Sequence, residues 1–243
     1  MIVKGGFTTY GEPIGILMLE TKFARPAGDI GNAGTFDFPV KYRIVKGASP
    51  ARVVKERDSS LIEPFIRAGR ELQREGVKAV TTSCGFLALF QEEIASALEV
   101  PFFSSSLLQV PLVWRMLGRK GTIGILTVRR ESLGEDHFRA VGIDEIPLVI
   151  DGMDGSEEFS RVFMNCSLDD GDPSLDLDYD QAADEMRRAA GRLKERVKEQ
   201  DQQLGAVIME CTNMPPFRST VREILQLPVF DIVTLTRFVY SSL

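Results

Sequence analysis

Short apolar runs and longer amphipathic stretches alternate along this chain. Ile14-Gly15-Ile16-Leu17-Met18-Leu19 carries no charge and is too short for a helix, which predicts a strand buried on both faces. Residues 42–45, 77–81, 102–103, 122–126, 146–150, 206–209 and 229–230 read as further strands. Between them the apolar positions recur every three or four residues. Leu61, Ile62, Phe65, Ile66, Gly69 and Leu72 predict a helix over 59–74, with Gly76 as its stop signal. Helices are also expected over 87–98, 130–141 and 217–225. The longest, over 179–197, sets Ala182, Met186, Ala189, Leu193 and Val197 on one stripe, and its acidic start suits the helix dipole. Alternation of this kind predicts an α/β chain with parallel sheets and helices on both faces. The Gly/Pro-punctuated segment 21–39 exceeds an ordinary connection and is expected to be a functional loop.

The second half repeats the first. Ile14-Gly15-Ile16-Leu17 returns as Ile123-Gly124-Ile125-Leu126. With Cys84 placed on Cys211, residues 79–103 align with 206–230 without a gap, and seven of the 25 positions are identical. They include both cysteines, Pro101 with Pro228, and two phenylalanine pairs. Ordinary residue frequencies give about one or two identities. Internal duplication, and with it two pseudo-symmetric lobes, is the better account.

Duplication gives the cysteines a chemistry. Each follows an apolar strand and opens the next predicted helix, and ligands of open α/β sheets sit outside the carboxyl ends of the strands. Two facing lobes would bring Cys84 and Cys211 to opposite sides of one cleft. The helix starts behind them are expected to lower the thiol pKa and to bind an anionic oxygen. A thiolate on one face and a thiol on the other can remove and return a proton, which inverts a carbon next to a carboxylate. The enolate charge needs donors, and Ser83, Gly85, Thr212 and Asn213 are placed to provide them. Arg25, in the long loop, is a candidate carboxylate clamp, with Asn32 nearby. Thr127 follows the second IGIL strand and is a candidate ligand contact. Glu20 is a candidate assistant to Cys84. Phe86 points to a bulkier or less polar substrate.

Charge and composition narrow the partners. The 243 residues carry a net charge of −6, which disfavours nucleic acid. Residues 144–184 hold 13 acidic side chains against the single basic Arg161, and are expected to form a solvated, loop-rich insertion. The rest of the chain is therefore basic enough for a small anionic substrate. Three cysteines suit reduced thiols, with Cys166 as the spare one. No apolar run approaches the ~18 residues of a membrane span, and the first residues lack the apolar core of a signal peptide. A cytoplasmic location without membrane contact is expected. With His137 the one histidine and no CxxC pair, no metal site is expected.

Thr82-Ser83-Cys84-Gly85 and Glu210-Cys211-Thr212-Asn213-Met214-Pro215-Pro216 resemble the paired cysteine motifs of the aspartate/glutamate racemase superfamily. The resemblance spans most of the chain, from the IGIL strand openings to Pro228-Val229-Phe230-Asp231. It implies two α/β lobes with the active-site cleft between them: 1–105 with about 231–243, carrying Cys84, and 106–230, carrying Cys211. It also implies catalysis without pyridoxal phosphate or any other cofactor, Cys84 and Cys211 as the two bases, and often a homodimer. The superfamily includes hydantoin racemases, maleate isomerases and arylmalonate decarboxylases. The decarboxylases keep one of the two cysteines, so retention of both favours epimerisation or isomerisation. This chain departs from the glutamate racemases in Cys84-Gly85-Phe86, where they typically have Cys-Asn-Thr. Asn213 stands where they usually carry histidine, and Glu20-Thr21 replaces their Asp-Ser pair. The expected function is a cofactor-independent racemase or epimerase of a small carboxylate- or amide-like compound. The alternatives are a related isomerase, hydantoin racemase- or maleate isomerase-like, and a two-lobed small-molecule-binding protein without turnover.

Overall fold

The computed structural model describes every residue except Met1, Lys4, Cys166 and Asp170. The first half runs β1 (Ile14–Leu19), β2 (Val40–Val45), α1 (Ile62–Arg74), β3 (Ala79–Thr82), α2 (Gln91–Ser96), β4 (Phe102–Phe103) and α3 (Val110–Met116). The second runs β5 (Thr122–Thr127), α4 (Glu135–Ala140), β6 (Leu148–Gly152), α5 (Glu158–Met164), α6 (Tyr179–Glu199), β7 (Leu204–Met209), α7 (Arg218–Leu225), β8 (Val229–Phe230) and α8 (Ile232–Tyr240). Each half builds one parallel four-stranded sheet, ordered β2-β1-β3-β4 and β6-β5-β7-β8. The chain is α/β with two lobes.

The internal repeat survives down to strand register. Ile14 and Gly15 pair with Ala79 and Val80, and Ile123 and Gly124 pair with Ala206 and Val207. The glycine at the second position of each IGIL has a packing reason. A methyl group on Gly15 would press on Leu72 of α1, and one on Gly124 on Leu193 of α6. Each helix therefore seats a leucine directly on the central strand, which a side chain there would push away.

Alternation along β1 divides its contacts. Ile14, Ile16 and Met18 face Ile232, Val233 and Leu235 of α8, together with Phe36 and Phe38 of the long loop. Leu17 and Leu19 join a larger core that runs from Phe65 and Leu72 into Ile125, Leu193 and Phe217 of the second half. The halves are also tied by polar contacts: Ser106 Oγ donates to the Met209 carbonyl at 2.7 Å, and Gln109 Nε2 to that of Asp231 at 2.9 Å.

Several elements differ from the sequence expectation. The helices expected over 59–74, 87–98 and 130–141 begin as tight 3-10 turns, and α helix covers only 62–74, 91–96 and 135–140. α3 and α5 are two turns or less, too short to leave a periodic signal. The acidic segment is more ordered than a solvated loop. Glu185 of α6 accepts the main-chain N–H groups of Glu157, Glu158 and Phe159 at 2.8–2.9 Å, which caps the start of α5 with a buried carboxylate. Glu158 binds Arg161, and Asp151 lies between Arg192 and Arg196. Among the described residues, no helix is long and apolar enough to cross a membrane.

Candidate active site

β3 and β7 deliver the two cysteine motifs side by side. Cys84 stands in extended backbone (φ −150°, ψ 114°) before the 3-10 turn Gly85–Phe90, so its sulfur receives the N–H groups of Phe86 and Leu87. The Cys211 thiol donates to Asn213 Oδ1 at 3.7 Å. Both thiols are buried and line one cavity, where about 30 Å³ is free within an envelope of about 390 Å³ that opens to solvent. The rest of the wall is largely apolar, with Leu19, Phe23, Val54, Phe86, Phe163 and Met164. Phe163 and Met164 come from α5, so the acidic segment supplies part of the cap.

Three contacts join the motifs. Thr212 Oγ1 donates to the Ser83 carbonyl at 2.6 Å. Asn213 Nδ2 donates to Asp29 Oδ2 at 2.7 Å, linking the second motif to the long loop. The carboxyl of Glu210 lies over Gly85, where a Cβ would overlap both its Oε1 and its main-chain oxygen. Glycine at position 85 is therefore a steric requirement of the paired motifs.

The thiols are not acidified. Burial pushes the Cys84 thiol up to about 12, Glu210 adds to the rise, and the N–H groups of Phe86 and Leu87 only partly oppose it. Burial likewise holds Cys211 well above the ordinary thiol value, with Glu210, Cys84 and Asp29 adding to it and the Asn213 N–H opposing. The helix-start effect expected from sequence loses to desolvation and a neighbouring carboxyl. Burial also raises Glu210, to about 8, with its hydrogen bond from Thr127 opposing. At neutral pH all three groups are therefore mainly protonated in the empty cavity.

The other expected site residues divide. Ser83, Gly85, Phe86, Thr212, Asn213 and Arg25 line the cavity. Most of their side chains are engaged: Ser83 Oγ accepts the Leu19 N–H at 2.9 Å, and Thr212 and Asn213 hold the ties described above. Arg25 sits on buried Asp29 at 2.6 Å, donates to Thr21 at 2.9 Å and covers the Phe23 ring, so its fork is already occupied. Thr127, Glu20 and Asn32 do not line the cavity. Thr127 Oγ1 donates to Glu210 Oε2 at 2.7 Å. Glu20 accepts the Gly47 N–H at 2.8 Å, and Asn32 shapes the long loop by bonding Gly34 and the Arg25 carbonyl. Cys166 lies outside the described residues. Sequence reasoning assigned no role to Asp29 or Glu210. The signal for Glu210 was present, because the repeat aligns it with Ser83 and so puts a lone carboxyl where the other half has a hydroxyl. Among the described residues, no group of three His, Cys, Asp or Glu side chains is placed to hold a metal ion.

Solved structures place this architecture. A glutamate racemase from Bacillus anthracis superposes with a TM-score of 0.58 over 95% of this chain and 80% of its own, at 13% identity. Unliganded arylmalonate decarboxylase gives a TM-score of 0.57 over 89% of this chain and 86% of its own, at 14% identity. The fold is the one these racemases and the decarboxylase share. No family model matches the sequence. By sequence, the chain is 29% identical over 237 residues to dimethylsulfoniopropionate lyase 7 of Emiliania huxleyi, covering 91% of this chain and 64% of the relative. It is 29% identical over 232 residues to the dimethylsulfoniopropionate lyase of Durusdinium sp. clade D, covering 93% and 73%. These sequence relatives are lyases, where the motifs had led to hydantoin racemase-like and other isomerases.

Proposed function

We propose that this chain is a cofactor-independent lyase that removes the α-proton of a β-sulfonio carboxylate and expels the sulfur, with dimethylsulfoniopropionate as the leading substrate. The observation that carries the reading is the charge of the cavity. Arg25 is the only basic side chain lining it among the described residues, and Asp29 already neutralises that one. A dicarboxylate such as glutamate would enter with no cation to meet its second charge. A zwitterion that brings its own positive sulfur meets the Phe86 and Phe163 rings and buried thiols instead. Its sulfonium charge also favours thiolate formation beside it, offsetting the desolvation that holds the thiols neutral.

In the proposed reaction Cys84 is the base, since its sulfur receives two main-chain N–H groups, while Cys211 receives only that of Asn213 and its own proton is held by the Asn213 side chain. The Cys84 thiolate takes the α-proton, and the C–H electron pair passes into an ene-diolate. That pair then forms the C=C bond of acrylate while the Cβ–S bond breaks, its electrons leaving on dimethyl sulfide. Cys84 returns the proton to solvent.

Incubation with dimethylsulfoniopropionate, with headspace detection of dimethyl sulfide and NMR detection of acrylate, tests this. Equal amounts of both products, lost in Cys84→Ala, are expected. No product, with α-deuterium entering aspartate or glutamate in deuterated water, would overturn it in favour of racemisation. Ligand-induced stabilisation that survives both cysteine substitutions, without turnover, would overturn it in favour of a binding protein.

A further inference from the structure

Among the described residues lining the cavity, one buried polar side-chain atom has no partner and no part in the reaction above. Ser83, Thr212, Asn213, Thr21 and Arg25 all line it with side chains already bonded within the protein. Glu210 also lines it, is fully buried, and has no hydrogen-bond partner for Oε1 among the described residues. Its other oxygen, Oε2, is held by the Thr127 hydroxyl at 2.7 Å. The carboxyl is thus fixed at one end and free at the other, and it lies against Gly85, close enough to act on both thiols.

The geometry points to Glu210 as a neutral carboxylic acid that donates a hydrogen bond from Oε1 to a substrate carboxylate oxygen as it becomes an ene-diolate. The inference rests on the proton-abstraction reading of the site but not on the leaving group, because elimination and inversion pass through the same ene-diolate. Thr127, donating to Oε2, leaves Oε1 as the oxygen that carries the proton. An acid is the form the surroundings require. The groups facing it are the thiols of Cys84 and Cys211, with Asp29 beyond Asn213 and already paired to Arg25. No unpaired cation among the described lining residues would stabilise a carboxylate there. An ionised Glu210 would oppose thiolate formation at both cysteines and repel the substrate carboxylate. A protonated one does neither and strengthens its hydrogen bond as charge builds on the oxygen. Burial keeps the proton on up to about pH 8.

Glu210→Gln keeps a neutral donor of the same shape, and Glu210→Leu removes it. The glutamine variant should keep kcat within about tenfold of the wild type, and the leucine variant should lose on the order of 10²-fold or more. Wild-type kcat/KM, rising with the Cys84 thiolate fraction, should level off above about pH 8 as Glu210 ionises, and in Glu210→Gln it should go on rising. In the unsubstituted protein, NMR of glutamate labelled with ¹³C at the δ-carbon should show one carboxyl titrating near 8, apart from the rest. A glutamine variant that is folded and as inactive as the leucine variant overturns the inference, because it shows that the carboxylate is needed. So does the absence of any glutamate titrating near 8, which can be read even if neither variant folds. Failure of the function reading looks different: no wild-type turnover or α-exchange with any of the probes, and the titration still in place.

Discussion

Asn213 Nδ2 donates to Asp29 Oδ2 across the interface of the two halves, at 2.7 Å. Asp29 is fully buried, and its other oxygen takes Arg25 and the Gly31 N–H. One carboxylate thus anchors the long loop internally and fastens it to the second cysteine motif. Asp29→Ala should cost about 3–5 kcal/mol in urea unfolding, because it strands the Arg25 charge and opens two hydrogen bonds. A double-mutant cycle with Asn213→Ala should give a coupling of about 1–3 kcal/mol. Additive losses would show that the bond contributes nothing across the interface.

The two thiols should differ in importance. Elimination needs one base, so Cys84→Ala should lower kcat by roughly 10²–10⁴-fold, as removal of a general base does. Cys211→Ala should cost at least about tenfold less than that. Steady-state dimethyl sulfide release by the two variants measures the difference. Equal, complete losses would point to a two-base inversion.

Gly85→Ala should be severe for a change of one methyl group. Its Cβ meets the side-chain and main-chain oxygens of Glu210 together, so relief requires the two motifs to separate. A loss of about 1–3 kcal/mol in stability is expected from overpacking, with activity falling further than stability. Gly191 of α6 has open space around it, and Gly191→Ala is the matched control.

Phe163 lines the cavity and packs in a T-shaped contact with Phe23 at 5.0 Å between centroids. If it meets a sulfonium group, Phe163→Leu should raise KM by about tenfold, worth roughly 1–2 kcal/mol, with kcat changed less. Phe163→Tyr should restore KM. A leucine variant with unchanged KM would place the cation elsewhere.

Stability should be greatest where the ranges of two buried groups overlap, at about pH 4.5–6.5. Burial lowers His137 to about 4, with the Arg57 charge helping, so the native state keeps it neutral where the unfolded chain protonates it. The unfolded state then binds more protons at this group, and its contribution to stability falls as pH drops from about 6.5 toward 4. Glu210 acts on the other side. Its native pKa of about 8 lies above the ordinary glutamate value of 4.5, so the native state holds the extra proton and its contribution to stability falls as pH rises through that range. Chemical denaturation at successive pH values should show both slopes. The alkaline one should flatten in Glu210→Gln and the acidic one in His137→Phe.

The fold was legible because duplication repeats its own evidence. IGIL occurs twice, and each copy pairs in the same register with an Ala-Val strand that leads to a cysteine. The cysteines and their immediate neighbours could be read for the same reason. Residues acting through the backbone or through one another could not. Thr127 reaches the site only through Glu210, and Asn32 serves its own loop. Glu185 and α5 were hidden inside a run of acidic residues that composition presents as solvent-facing. Their role depends on a carboxylate from one helix meeting the N–H groups of another, 26 to 28 positions earlier in the chain. The lowered thiol pKa was expected from helix starts and failed because desolvation at full burial is the larger effect.

The aligned pair Ser83 and Glu210 has a consequence for the direction of chemistry. A pocket whose two sides are copies treats a substrate's two faces alike and suits a reaction that runs equally well either way. A hydroxyl on one side and a carboxyl on the other end that equivalence. With two main-chain donors on one thiol and one on its twin, whose proton Asn213 holds, the proposed reaction has an entry side and an exit side for the proton. Under the proposed elimination such a site favours a one-way process, in which a departing volatile product prevents return. In a duplicated scaffold, one unmatched position is enough to turn a balance into a valve.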